Sequence, residues 1–397
     1  MIETLFPIAL GELVLGGGGR TFSIGPISLR MLLFAACVVA SLVVALTSTR
    51  QRDGLGTAVL LVLGFFASLL PGLLVDAENG TTISTIALEL QPLLFWLMAP
   101  FVAMAMQDVK TIEKAASIIL YGGLAVAVVT SALMAGLYVG AVNFGRLYLW
   151  ADATDELFFR SRTNFFYKGH FFVGVALVFC IILTPRWWKS IAVVLGLSLI
   201  LSLTRGLYLA VLIAIAMSFL SARRSFAVIV TIVIATTVVI VYGQVLINLI
   251  FDPNRLISSQ ARSRDFAYFL ATFDYKTLIF GDGTGVLLNG RRNIENSFIW
   301  MVWRFGICGL LFWFTPLFLV TRDFMKIPYG SDHHRIASAF FFGTVMLYVV
   351  TAFNPFVNNS IGLSYLLCAV FALRRLGRDA AATYGSASDP APTVLRS

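Results

Sequence analysis

The sequence predicts an all-α, polytopic integral membrane protein with eleven or twelve transmembrane helices, and three observations carry that expectation. Of its 397 residues, 59% are hydrophobic and only 12% are charged, with a mean hydropathy of +0.88. A soluble domain carries about a quarter charged residues. The apolar residues fall into blocks of roughly 17 to 25, the length a helix needs to cross hydrocarbon at about 1.5 Å per residue. These blocks are rich in Leu, Ala and Val and lack the alternation of a barrel strand, and in lipid the backbone must bond to itself.

The blocks lie near 29–47, 57–75, 82–106, 115–139, 169–184, 187–204, 206–222, 226–248, 296–320, 336–352 and 358–374. The stretch Thr4–Gly19 is short and carries Glu12, so it reads either as a twelfth span or as a re-entrant helix. Everything else is loop, which leaves one membrane domain over 1–379 and a polar, proline-bearing tail over 380–397 expected to be disordered. Cys37, Cys180, Cys308 and Cys368 each sit inside an apolar block without paired spacing, as small buried hydrophobes do. Met1–Gly19 has no basic start and contains Glu3 and Glu12, unlike a cleavable signal peptide.

Orientation follows from the basic residues of short connections. Arg50/Arg52, Lys110/Lys114, Arg186/Lys189, Arg223/Arg224, Arg322/Lys326/Arg335 and Arg374/Arg375/Arg378 fall on one side, expected to be cytoplasmic. The opposite short connections, near Asp76–Gly80 and Phe353–Asn358, carry no Lys or Arg. The long connections 140–168 and 249–295 then face outward. This parity depends on reading Ile191–Leu220 as two spans that turn at Thr204-Arg205-Gly206. A single helix of that length would run roughly 45 Å, too long for the core without strong tilt.

The outward segment from Leu249 to Arg304 holds Arg255, Arg262, Arg264, Lys276, Arg291, Arg292 and Arg304 against Asp252, Asp265, Asp274, Asp282 and Glu295. Long loops translocate whatever their charge, so topology does not demand this basic excess. Guanidinium groups bind phosphate through planar, bidentate hydrogen bonds and stay charged, which suits a diphosphate carried by a lipid. Attraction to anionic headgroups is the plain alternative for any one of them. Arg205 is the sharper signal: set between two barely sufficient helices, its head lies at or just below the interface, where an uncompensated cation is costly. Snorkelling to headgroups is the competing account.

Other residues carry two readings each. Glu89, beside Gln91 and Pro92 in the third span, is an intramembrane acid, either functional or a protonated structural group. His170 stands at the outer end of a span, within reach of an acceptor sugar or simply packed there. The glycines Gly281, Gly283 and Gly285 form either a backbone nest for a phosphate oxygen or an ordinary turn. They lack the Gly-Lys-Ser/Thr ending of a nucleotide-binding loop. Arg304 points about 180° from Glu295 on a helical wheel. The aromatic run Tyr148–Tyr167 is either a sugar-stacking surface or an interfacial belt. His333 and His334 fall in a connection on the cytoplasmic side.

Leu203-Thr204-Arg205-Gly206 before an apolar helix resembles the Ser/Thr-Arg-Gly step of the O-antigen ligase/Wzy polymerase superfamily. Further on, Arg262-Ser263-Arg264-Asp265 opens an aromatic stretch that leads to Phe280-Gly281-Asp282-Gly283-Thr284-Gly285. That order is similar to the family's large periplasmic loop. Glu295-Asn296, nine residues, then Gly306-Ile307-Cys308-Gly309 matches the spacing of the ligases' His-Asn/Ser/Gln, nine residues, Gly-x-x-Gly. The likeness covers Leu197–Val320, and Gly16–Arg20 before Ile24–Arg30 is similar to exopolysaccharide members of the group. Glu295 stands where the ligases have histidine, which turns the expectation from a lipid A-core ligase toward a repeat-unit polymerase.

The resemblance implies glycosyl transfer from undecaprenyl diphosphate at the periplasmic face of a bacterial cell inner membrane, without metal or other cofactor. Arg205 and Arg264 match the family's functional arginines and are expected to hold the diphosphate leaving group, joined by Arg262, Arg291, Arg292 and the glycines 281, 283 and 285. Glu295 is expected to act as general base on the acceptor hydroxyl, or else to face the dipole of the helix it opens. Asn296, Arg304, His170 and Glu89 form a second tier. The partners implied are lipid-linked oligosaccharide donor and acceptor, membrane lipids, and polysaccharide-export and chain-length proteins, with no nucleic acid. Two other functions compete: a ligase that moves the finished glycan onto lipid A-core or another acceptor, and a flippase or transporter for the lipid-linked unit.

Overall fold

Among the described residues, helices form where the apolar blocks predict them. A computed structural model describes residues 1–24, 27–47, 54–221, 256–272, 274–288, 290, 294 and 296–385, with the side chains of 24, 221, 256–263 and 383–385 excepted. The chain begins with α1 (Ile2–Leu15), a two-stranded ribbon of β1 (Ser23–Ile24) and β2 (Ile27–Ser28), α2 (Leu29–Thr47) and α3 (Leu55–Glu78). Next come α4 (Ile83–Leu90), a 3-10 helix (Gln91–Met98), α5 (Ala99–Ala105) and α6 (Val109–Tyr138). The connection after α6 holds α7 (Phe144–Thr154) and a hairpin of β3 (Leu157–Phe159) with β4 (Phe165–Tyr167). Then follow α8 (His170–Leu183), α9 (Trp188–Ser202), α10 (Arg205–Ser221), α11 (Leu256–Thr272) and α12 (Tyr275–Phe280). The chain closes with α13 (Ser297–Phe324), α14 (His334–Thr351) and α15 (Ser360–Gly385).

Seven helical stretches among the described residues are long and apolar enough to cross a membrane, and α8, α9 and α10 are shorter apolar helices. Together these occupy ten of the eleven expected positions, seven plus three; the eleventh, 226–248, lies outside the described residues. The run 191–220 is two helices. α9 ends at Ser202, Leu203 turns through left-handed backbone (φ 54°), and α10 opens at Arg205. α1 has 14 residues, about 21 Å, and buries Phe6, Leu10 and Val14. α15 runs to Gly385, so the first part of the tail expected to be disordered is helix instead, its rise continuing through Ala380–Ala382.

Among the described residues, two spans are interrupted. The block 82–106 is α4, a 3-10 turn and α5, with Pro92 and Pro100 near the starts of the second and third pieces, where a missing amide donor is tolerated. α13 breaks at Gly306, whose φ of 65° and ψ of −162° lie outside the helical region. Near these interruptions Phe65, Trp96, Phe312 and Trp313 pack ring against ring, with Trp96 centred 5.0 Å from Phe312 and 5.6 Å from Trp313. α8 is buried along nearly its whole length and forms the centre around which α6, α9, α10 and α14 pack.

The contacts sort the helix termini into two ends. At one end meet the C-terminus of α1, the N-termini of α2 and α15 and the β3–β4 hairpin, through Arg30, Glu12, Gly17, Ser360 and Glu156. The turn before α10 and the C-terminus of α14 join them, since Gly206 packs on Phe353. At the other end Arg335 donates to the last carbonyls of α8, and Asp323 pairs with Arg322 and Lys326. Arg374, Arg375 and Arg378 line a small pocket there with Gly54 and Gln107. Arg50, Arg52, Arg223 and Arg224 lie outside the described residues.

Candidate functional site

Arg205 opens α10 with its side chain exposed. Leu209 and Ile213 follow it at four-residue steps, one above the other on a helix face. Those two residues, with Phe298 and Leu317 of α13 and Val345, Tyr348 and Val349 of α14, line an apolar cavity of about 510 Å³. Ala352 and Phe353 close its wall at the Arg205 end, and Gly206 lies against the Phe353 ring. A cation therefore stands one helical turn from Leu209, at one end of a largely apolar groove. Arg264 is exposed on α11, while Asp265 and Phe269 of the same helix are buried. Tyr268 and Phe269 approach Trp303 of α13 at 6.4 and 6.2 Å between ring centres.

The glycine-rich loop after α12 is a nest, and it is filled from within the chain. Gly281 and Gly283 have φ of 74° and 90°. The Thr284 amide and hydroxyl donate to Asp76 Oδ2 at 2.8 and 2.6 Å, and the Gly285 amide donates to Oδ1 at 3.0 Å. Asp76, near the C-terminal end of α3, is fully buried. A Cβ on Gly283 would stand 2.6 Å from Asp76 Oδ1, so glycine is required there twice over. The amides of Thr284 and Gly285, within the segment expected to receive a phosphate oxygen, thus already hold a carboxylate. Asp76 escaped the sequence reading because its donors lie more than two hundred positions away.

Glu89 and Arg304 come together. Arg304 is 1% exposed and its Nη2 lies 3.4 Å from Glu89 Oε2, while its guanidinium sits 5.5 Å above the Trp300 ring. Glu89 stands where α4 gives way to the 3-10 turn, and Arg304 two residues before the break in α13. The pair thus joins the two interrupted spans. Asn296 caps α13, its Oδ1 accepting from the amides of Phe298 and Ile299 at 2.9 and 3.2 Å. Glu295, Arg291, Arg292 and the side chain of Arg262 lie outside the described residues.

His170 is fully buried. Its Nδ1 accepts from the Tyr167 amide at 2.9 Å, and its Nε2 is 3.4 Å from the Thr130 hydroxyl, itself 3.3 Å from Ser198. Of its two sequence readings, this geometry is the packed one: the ring joins α6, α8 and α9. In the aromatic stretch, Phe165, Phe166 and Tyr167 are buried, whereas Tyr148, Trp150 and Phe158 are exposed.

A second nest repeats the first. The amides of Gly18 and Arg20 donate to the Glu156 carboxylate at 2.6 and 2.8 Å, and Glu156 is fully buried. Burial pushes its carboxyl up from the usual carboxylate range, against the opposing pull of those amides and of Lys168 and Arg30. Asp282 is likewise raised by desolvation, opposed by the Thr277 hydroxyl that donates to it.

No protein-family model matches the chain, and no curated protein matches it in sequence.

Proposed function

We propose that this chain is a membrane glycosyltransferase that polymerises undecaprenyl-diphosphate-linked oligosaccharide repeat units at the periplasmic face of a bacterial inner membrane. In this reading it spans the membrane eleven or twelve times, with 140–168 and 249–295 on the periplasmic side. The observation that carries it is Arg205 one turn from the 510 Å³ apolar groove. Such a groove suits a polyprenyl tail, and a guanidinium one helical turn beyond its lining suits the diphosphate that follows the tail. Negative charge grows on that diphosphate as the glycosidic bond breaks, so cations held in place lower the barrier. Arg264, with Arg262, Arg291 and Arg292, supplies further positive charge, and Glu295 takes the proton of the acceptor hydroxyl. The order and spacing of the motifs around these residues support the same assignment.

The test is incubation of purified protein with lipid-linked repeat units, read as the length of the carrier-bound glycan. Wild type gives a ladder. Arg205→Ala and Arg264→Ala abolish extension while the protein remains inserted, and Glu295→Gln slows it by about 10²-fold or more. Full activity in both arginine variants removes the assignment.

A specific observation favours a second reading. Two interrupted spans joined by an intramembrane Glu89–Arg304 pair are the architecture of many transporters. A flippase for the lipid-linked unit leaves glycan length unchanged and moves the substrate between leaflets, so the same reconstitution separates the two. A ligase, the third possibility, moves the ladder from the carrier lipid to another acceptor.

A further inference from the structure

Another part of the chain occupies the break in α13. A Cβ on Gly306 would lie 2.2 Å from the Ile279 carbonyl oxygen, and one on Gly281 would lie 2.5 Å from the Arg304 carbonyl. The Asp282 amide donates to the Trp303 carbonyl at 2.6 Å, making a bond to α13 from outside the helix. On the other flank, Gly72 of α3 brings its backbone against the Arg304 carbonyl. The loop 279–285 is therefore a wedge: its first half enters the break, and its second half is tied to α3 by the three hydrogen bonds to Asp76. Directly at the point of the wedge sits Arg304, 1% exposed and paired with Glu89.

We infer that Asp76 is a positioning residue for this intramembrane charge. By holding the Thr284 and Gly285 amides it keeps the loop wedged into α13, and the wedge sets where the Arg304 guanidinium stands relative to Glu89. A side chain with two acceptor oxygens is needed because the Thr284 and Gly285 amides each converge on one of them. An asparagine there turns its NH2 toward the Gly285 amide or toward the Thr284 amide, donor against donor in either case. Nothing in this depends on what the protein transfers; only the activity arm of the test rests on the reading above.

The test has two arms. In the first, amide hydrogen exchange is compared between wild type and Asp76→Asn in detergent. Exchange should rise at least about tenfold at Thr284 and Gly285, the scale of a lost bond to a charged group, and by a similar factor at Asp282 and across 305–309, with α14 unchanged. Faster exchange confined to Thr284 and Gly285 overturns the inference, since Asp76 then caps its own loop and nothing more. Should Asp76→Asn fail to accumulate, Gly283→Ala displaces the loop with Asp76 intact and must give the same pattern.

In the second arm, the rate of chain extension is measured for Asp76→Asn, Arg304→Lys and the double variant. If Asp76 acts through Arg304, each single change slows extension and the double is within about twofold of the worse single. Multiplying defects overturn the inference. If wild type extends nothing, the proposed activity is at fault, and the exchange arm alone decides the role of Asp76.

Discussion

Glu156 and Asp76 are buried acids whose carboxyl oxygens accept from backbone amides. The arrangement has a pH signature at Glu156. Its folded-state carboxyl is raised above the ordinary 4.5 by burial, so the folded protein binds this proton more tightly than the unfolded chain does. The stabilisation is complete below the ordinary value and is lost as pH rises through the raised one. The thermal midpoint should therefore climb as pH falls toward the ordinary carboxylate range, and Glu156→Gln should flatten that climb while lowering the midpoint throughout. An unchanged slope in the variant excludes Glu156 as its source. Arg205 was legible in the sequence because a lone cation between two short apolar runs has few places to be. Glu156 and Asp76 were not, since an acid beside a span ordinarily reads as an interfacial residue. Only the fold brings to each of them a glycine segment more than a hundred residues distant.

At the scale of elements, the instructive contrast is between two interruptions. The turn between α9 and α10 follows from the sequence: Thr204-Arg205-Gly206 is the chief polar interruption in a run too long for one span. The break in α13 does not. Gly306 lies in an apolar stretch of α13 that offers no polar interruption, and in the fold the 279–282 backbone occupies the space beside the break. Gly306→Ala brings two penalties, a φ near +65° that L-residues avoid and a Cβ 2.2 Å from a carbonyl oxygen. The left-handed backbone alone costs on the order of 1–3 kcal/mol. The expected result is a lower yield of folded protein and a lower unfolding midpoint in detergent. A variant as stable as wild type would show that α13 can close into a continuous helix and expel the loop.

The whole molecule is organised by ends. At the Arg205 end, Arg30 donates to Glu12 at 2.9 Å and to the Gly17 carbonyl and Ser360 hydroxyl, with both charged side chains 6% exposed or less. This network ties the first, second and last helices together. Arg30→Met leaves Glu12 buried and unpaired, a loss of about 3–5 kcal/mol; adding Glu12→Leu should restore much of it, because two apolar groups need no partner. Denaturation in detergent measures both, and a double variant as unstable as the single would show that the other bonds of Arg30, not the charge pair, hold this end.

Helix content, the positions of the apolar helices and the two-helix turn at Arg205 could be read from the chain unaided. Each depends on runs of neighbouring residues and on what lipid demands of a backbone, and both are local properties. Tertiary structure alone paired Glu89 with Arg304, filled the two glycine nests with Asp76 and Glu156, and opened the groove beside Arg205. Those arrangements join groups as much as about two hundred residues apart. Burial makes an unmatched charge or an open nest costly there, and only the packed helices determine which distant group satisfies it.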